Sequence, residues 1–285
     1  LVRWARGLEI VGGAVLIVAF GARAPQVSSN PPVSSPPPSS SPSAPTSSST
    51  ISSQTVAAAI TSLVINPAGE VACIAGGRAA AYGTAWRTLS TPVAASSLAW
   101  RGNDWFLALP ATGLVVNASG VPQNQSFTSP PVVVTARVTF LQNGEVADLI
   151  GRVIGRVPRV PSATLDLNDT TFALVDRTVY AIGDGVARRQ TVDSAGSSLL
   201  ETPAGIEVVP GIAARDDGFT YTASNTELTA TNSARNVTGR YTLGSRVTRI
   251  AANGSRVAFA TGARLFVLGA GDLRPIFEGS CGGGA

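Results

Sequence analysis

From about residue 62 onward the hydrophobic positions come in short runs, each introduced by a turn. Asn66-Pro67-Ala68-Gly69 precedes EVACI, Gly102-Asn103-Asp104 precedes WFLAL, and Gln142-Asn143-Gly144 precedes EVADL. Asn168-Asp169-Thr170 precedes TFALV, Asp216-Asp217-Gly218 precedes FTYTA, and Asn253-Gly254-Ser255 precedes RVAFA. Gly, Asn and Asp tolerate the positive φ of tight hairpins, and short alternating or fully apolar runs suit half-buried or buried strands. Residues 248–279 show the whole unit: a run ending at Asn253-Gly254, β-rich runs at 256–260 and 264–268, and a closing run at 273–277.

The residues just before the six runs are spaced by 35, 40, 26, 48 and 37, a mean of about 37. That is close to the repeat length of a four-stranded blade. Second runs stand where a third strand belongs: RAAAY, LVVN, RTVYAI and RLFVL. The pattern predicts an all-β chain, a β-propeller of six four-stranded blades over residues 56–285, with five or seven blades as alternatives. The irregular intervals of 26 and 48 mark residues 197–210, SSLLETPAGIEVVP, as an insertion or a displaced strand.

Over residues 62–279 this succession resembles the generic repeats of TolB-like and WD40-like propeller proteins. No copy has the Pro-Asp-Gly turn of those repeats and none ends in Trp-Asp. The resemblance implies the fold and, at most, a binding platform.

Ahead of the repeats lie two segments of different character. Residues 1–24 set Arg3 and Arg6 before the uncharged run 10–20, the order of an export signal. The thirteen uncharged residues 10–22 would rise about 20 Å as a helix, short of a hydrocarbon core of roughly 30 Å. A cleaved signal peptide and a membrane anchor over residues 8–22 are both open, as is an apolar N-terminus packed on the body. Residues 25–55 read as a disordered linker: 20 of the 28 residues 26–53 are Ser or Pro, too polar to offset the entropy of ordering. As polyproline II this stretch would reach up to roughly 90 Å.

Composition narrows the chemistry. With 44% hydrophobic and 13% charged residues, the chain can bury a sizeable core. It contains no His, which excludes a Ser-His-Asp triad, a Cys-His pair and any His-containing zinc site. All 21 basic residues are Arg, and three of them precede residue 25 with Glu9, leaving 18 Arg against 16 acids beyond. A charge of +2 without a concentrated basic face argues against a nucleic-acid partner.

Cys73 falls in the first repeat and Cys281 just past the last, so a disulfide between them would fasten the place where a ring could open. An exported protein would meet the oxidising compartment that such a bond needs. Arg152, Arg156 and Arg159 form a possible anion-binding set, balanced by Glu145 and Asp148. Residues 166–170 and 216–218 cluster oxygen ligands, but without the distal Glu of a calcium loop they read as hairpin turns. Trp86, Trp100 and Trp105 read as core or as an aromatic patch. No catalytic, metal or cofactor motif is present.

The expectation is a non-catalytic, exported binding or scaffolding module of the bacterial cell envelope, on the periplasmic or extracellular side. Its partner would be an envelope protein or an envelope polymer, with the membrane reached only through the N-terminal segment. The alternative is a glycan hydrolase or lyase working through Asp/Glu pairs, for which carboxylates must converge in a deep pocket.

Overall fold

The computed structural model describes Val15–Ile17 and residues 57–283, except 125, 193–196 and 217. All regular structure among the described residues is β. The strands form seven antiparallel sheets; those between residues 60 and 280 run as meanders in chain order, and Val15–Ile17 joins one of them from far along the chain. The first holds Ile60–Ile65, Val71–Ala75, Arg78–Tyr82 and Trp86–Leu89. The second holds Ser97–Arg101, Asp104–Leu109 and Leu114–Asn117, and the third Pro131–Val134, Thr139–Leu141, Glu145–Ala147 and Val153–Arg156. The fourth runs through Ala163–Leu167, Thr170–Val175, Thr178–Ile182 and Val186–Thr191. The fifth is the pair Ser197–Thr202 and Gly205–Pro210. The sixth comprises Ile212–Arg215, Phe219–Ala223, Glu227–Asn232 and Val237–Thr242, and the seventh Arg249–Asn253, Arg256–Thr261, Arg264–Gly269 and Pro275–Ser280.

Five of the six runs of the sequence pattern mark the second strands of their sheets, whereas EVADL begins the third strand of its sheet, Glu145–Ala147, because Thr139–Leu141 comes before it. This offset shortens the next interval to 26, and the four-stranded sheets have the make-up of propeller blades. Seven sheets stand where six four-stranded blades are expected; the fourth gains a fifth strand from Val15–Ile17, and two others fall short of four strands. In the second, the chain after Asn117 meets Pro122, which lacks an N–H, and only an isolated bridge between Val116 and Pro122 continues the ladder. In the fifth, Pro210 and Gly211 lead directly into the sixth sheet, leaving no residues for a third and fourth strand. The segment expected as an insertion or displaced strand is therefore a two-stranded sheet of its own.

Side chains from both faces of most sheets interlock with the neighbouring sheets, which is why the second strands are nearly continuous in hydrophobicity. Val64, Ala72 and Ile74 pack on Leu98, Trp105 and Leu107, and Ala99, Ala108 and Val115 pack on Val134. Phe140 and Val146 meet Ala173 and Val175, while Leu165 and Leu174 meet Leu199. Tyr221 and Leu228 meet Phe259 and Leu268, and Leu265 and Val267 of the last sheet meet Leu63 and Val71 of the first.

Buried hydroxyls stitch successive inner strands together. The Ser62 hydroxyl accepts the Leu98 N–H at 3.4 Å, Ser97 accepts that of Val134 at 3.2 Å, and Ser198 accepts that of Ala213 at 2.9 Å. Between last and first sheets, Arg249 Nε donates to the Thr61 carbonyl at 3.0 Å and Arg256 Nη1 to the Gly69 carbonyl at 2.9 Å. Cys73 and Cys281 are joined by a disulfide with Cα atoms 5.9 Å apart.

Val15–Ile17 pairs antiparallel with Ala163–Leu165 at the inner edge of the fourth sheet. The rest of the expected signal or anchor and the linker at 25–55 lie outside the described residues.

Candidate functional site

A cavity of about 1020 Å³ lies across one face of the first four sheets. Turns that join inner to second strands surround it, with Pro67, Gly102, Ala136 and Asn168 from successive sheets. Each joins the same two strands of its sheet, so the fold gathers them on one face; in the third sheet this is the turn at Ala136 and not the Gln142-Asn143-Gly144 turn of the sequence pattern. The inner strands form its wall through Ile65, Ala99, Val134 and Thr164.

One rim is a rigid apolar loop. The Asp148 carboxylate accepts the N–H groups of Ile150 at 3.1 Å and Arg152 at 2.8 Å, and the Asp148 N–H donates to the Arg152 carbonyl at 2.9 Å. Gly151 takes φ 89° to close the turn, a conformation that suits Gly. Between these fixed ends Leu149 is 49% and Ile150 79% exposed. Their exposure is thus imposed by a hydrogen-bonded loop.

The polar lining is mostly acidic: Asp148, Asp166, Asp169 and Asp184 against Arg137. Arg137 pairs with Asp169 at 3.1 Å, and Arg152 with Asp148 at 3.2 Å. Asp166 sits deeper, accepting the Ala136 N–H at 2.8 Å and the Thr171 hydroxyl. Burial pushes its carboxyl above the ordinary range, against the pull of Thr171, Ala136, Thr135 and the Arg101 charge. Arg101 is buried in turn and donates to the carbonyls of Thr135 at 2.6 Å and Val138 at 3.0 Å. Its desolvation brings the guanidinium down to about 10, with Asp166 opposing.

A second network holds the aromatic wall. Trp105, fully buried, donates its indole N–H to Glu70 at 2.9 Å, and Arg87 grips the same carboxylate at 2.8 and 3.1 Å. Burial alone would raise the Glu70 carboxyl, but the Arg87, Trp105 and Asn66 donors together hold it below the ordinary range. Trp100, on the cavity lining, packs edge-on against Trp105 at 4.9 Å between centroids.

The expected anion set is distributed over three separate acids: Arg152 on Asp148, Arg156 on Glu145 at 4.0 Å and Arg159 on Asp176 at 3.4 Å. Asp216 is occupied by its own turn, accepting the N–H groups of Gly218 and Phe219 and the Tyr221 hydroxyl. Of the three tryptophans, Trp105 is core, Trp100 faces the cavity, and Trp86 joins Tyr82 and Phe277 beside the disulfide. Sequence reasoning missed Glu70, Arg101 and the Leu149-Ile150 pair. Of these, the pair had a signal: DLIG is an apolar insertion at a position where other turns of this chain are polar.

No protein-family model matches the chain, and no curated protein matches it. Among solved structures it is similar to Sqt1 of Saccharomyces cerevisiae, at 12% identity and a TM-score of 0.47 over 79% of this chain and 86% of that one. Apo AztD from Citrobacter koseri gives 12% identity and a TM-score of 0.42 over the same shares, 79% and 86%. PorZ of Porphyromonas gingivalis, a bacterial surface component of the type-IX secretion system, gives 11% identity and 0.42 over 80% of this chain. The chain spans 38% of the length of PorZ. Likenesses of this size assign neither blade number nor function.

Proposed function

We propose that the chain is a non-catalytic binding and scaffolding module, a propeller ring fastened by Cys73–Cys281 and exported to the bacterial cell envelope. The observation that carries the reading is Leu149 and Ile150, held outward on a hydrogen-bonded loop at the mouth of the cavity. Apolar side chains fixed in water beside a concave surface are what a partner covers. The acids around them complement an Arg- or Lys-bearing segment, so the partner is an envelope protein presenting a basic residue next to apolar ones. Export rests on the order of charge and hydrophobicity in residues 1–24 and is supported by the disulfide.

The test is the size of the native complex from gently solubilised envelopes. The wild-type chain should migrate in an assembly larger than itself, and the Leu149→Asp, Ile150→Asp double variant should migrate alone. Equal migration of the two would refute docking at this face.

A second reading follows from Asp166. A carboxyl raised by burial in a cavity with other acids is the arrangement of a general acid, which would make the chain a glycan hydrolase or lyase. Turnover of an envelope glycan that Asp166→Asn abolishes would establish it, and absence of turnover leaves the binding reading.

A further inference from the structure

The fifth sheet ends two strands early. Its inner strand lies between those of the fourth and sixth sheets, while both neighbours continue outward for two more strands. The outer strands of those neighbours make no substantial contact with each other. The free edge of Gly205–Pro210 is therefore set back by about 10 Å, two strand spacings, from the rim on either side.

That edge is competent for pairing. Thr202 faces Gly205 across a two-residue turn, so the closing pair exchanges hydrogen bonds and the alternation of an antiparallel ladder continues from there. Glu207 and Val209 spend their backbone groups inside the hairpin. Ile206 and Val208 point theirs outward, and among the described residues no strand pairs with them. Their side chains pack in one cluster with Leu199 of the same sheet and Val179 of the fourth sheet, so an added strand would extend an apolar layer already in place. On the other face, Glu207 is exposed and has no cation beside it among the described residues.

We propose that this truncated sheet is a strand-addition site for an extended segment of a partner protein, with alternate β-branched residues and a Lys or Arg placed across from Glu207. Three features select that occupant. A second copy of this chain has its own edge set back equally, and two recessed edges cannot meet. The Ser/Pro stretch at 26–53 carries seven prolines, which remove the N–H groups that a ladder needs. An extended single strand or hairpin fits the slot, supplies both backbone partners and places its cation against Glu207. The site lies apart from the cavity and does not depend on what docks there.

The probe is a synthetic peptide alternating Val and Thr with Lys at its centre, followed by fluorescence polarisation and hydrogen exchange on the full chain. Binding should slow exchange of the Ile206 and Val208 amides. Val208→Pro removes an N–H that the hairpin does not use, and should weaken binding roughly tenfold with the melting temperature kept. Glu207→Lys, which leaves the backbone intact, should weaken it several-fold and should favour a peptide with central Glu. No binding at saturating peptide, or protection unchanged in both variants, would overturn the proposal. So would a concentration-dependent dimer that Val208→Pro abolishes, since the occupant would then be a second copy.

Discussion

Replacing Cys281 by Ser removes one cross-link and little else. Cys73 is fully buried while Cys281 is partly exposed, so the new hydroxyl at 281 stays hydrated. The bond spans a sequence separation of 208 residues. In the chain-entropy account, closing a loop of that length lowers the unfolded entropy enough to stabilise the fold by about 5 kcal/mol, with measured values for native disulfides of about 2–5. The apolar contacts and arginine bonds between last and first sheets remain in the variant, so the loss should be about 3–5 kcal/mol. With a urea slope of about 2–3 kcal/mol/M for a body of this size, the midpoint should fall by roughly 1–2.5 M. Hydrogen exchange should accelerate most in Val71–Ala75 and Arg264–Gly269, where the ends meet, because opening there becomes the easiest local event. An unchanged midpoint, or exchange that rises evenly over all sheets, would refute the reasoning that the bond clasps the meeting of first and last sheets.

Other changes test the interior. Glu70→Ala strands the buried Trp105 N–H and frees Arg87, and should cost about 2–3 kcal/mol by denaturant titration, with Glu70→Gln costing less. Gly144→Ala should cost about 2–4 kcal/mol, because φ is 86° and the Val157 carbonyl lies against the position a Cβ would take. The two shifted carboxyls predict opposite pH responses. Asp166, raised in the folded state, takes up its proton before the unfolded chain does, so its contribution grows as pH falls from neutral through its folded pKa towards about 3.9. Glu70, lowered in the folded state, contributes above its unfolded pKa of about 4.3 and loses that contribution as pH falls through its folded value. Urea midpoints against pH should therefore lose their rise on acidification in Asp166→Asn and lose their acid collapse in Glu70→Gln.

The strands were legible because burial on two faces leaves a local trace. Runs such as WFLAL and RVAFA cannot sit in water, and the Asn and Gly before them carry the positive φ found at Asn168 and Gly254. The cysteine pairing was legible from position in a repeat. What failed to show was contact between repeats. Glu70 and Trp105 are 35 residues apart, and Ser97 bonds Val134 across 37, distances at which no periodicity links one side chain to another. The two-stranded fifth sheet was hidden for the opposite reason: IEVVP looks like any other strand, and only its neighbours reveal that nothing follows it. The arginine set at 152, 156 and 159 looked convergent in one dimension, yet each Arg pairs with a different acid. Asp166 stood out as a turn residue, whereas its setting beside Arg101 and Thr171 depends on three sheets at once.

The proposed function stands or falls with the loop at 148–152 as a docking surface. The direct measurement is photo-cross-linking in intact cells, with a benzophenone side chain at position 150 and, as control, at Val237, another exposed apolar position, on an outer strand. The predicted result is one reproducible envelope-protein adduct from position 150, lost when Leu149 becomes Asp, and none from 237. Identical adducts from both positions, or none from either, would contradict it.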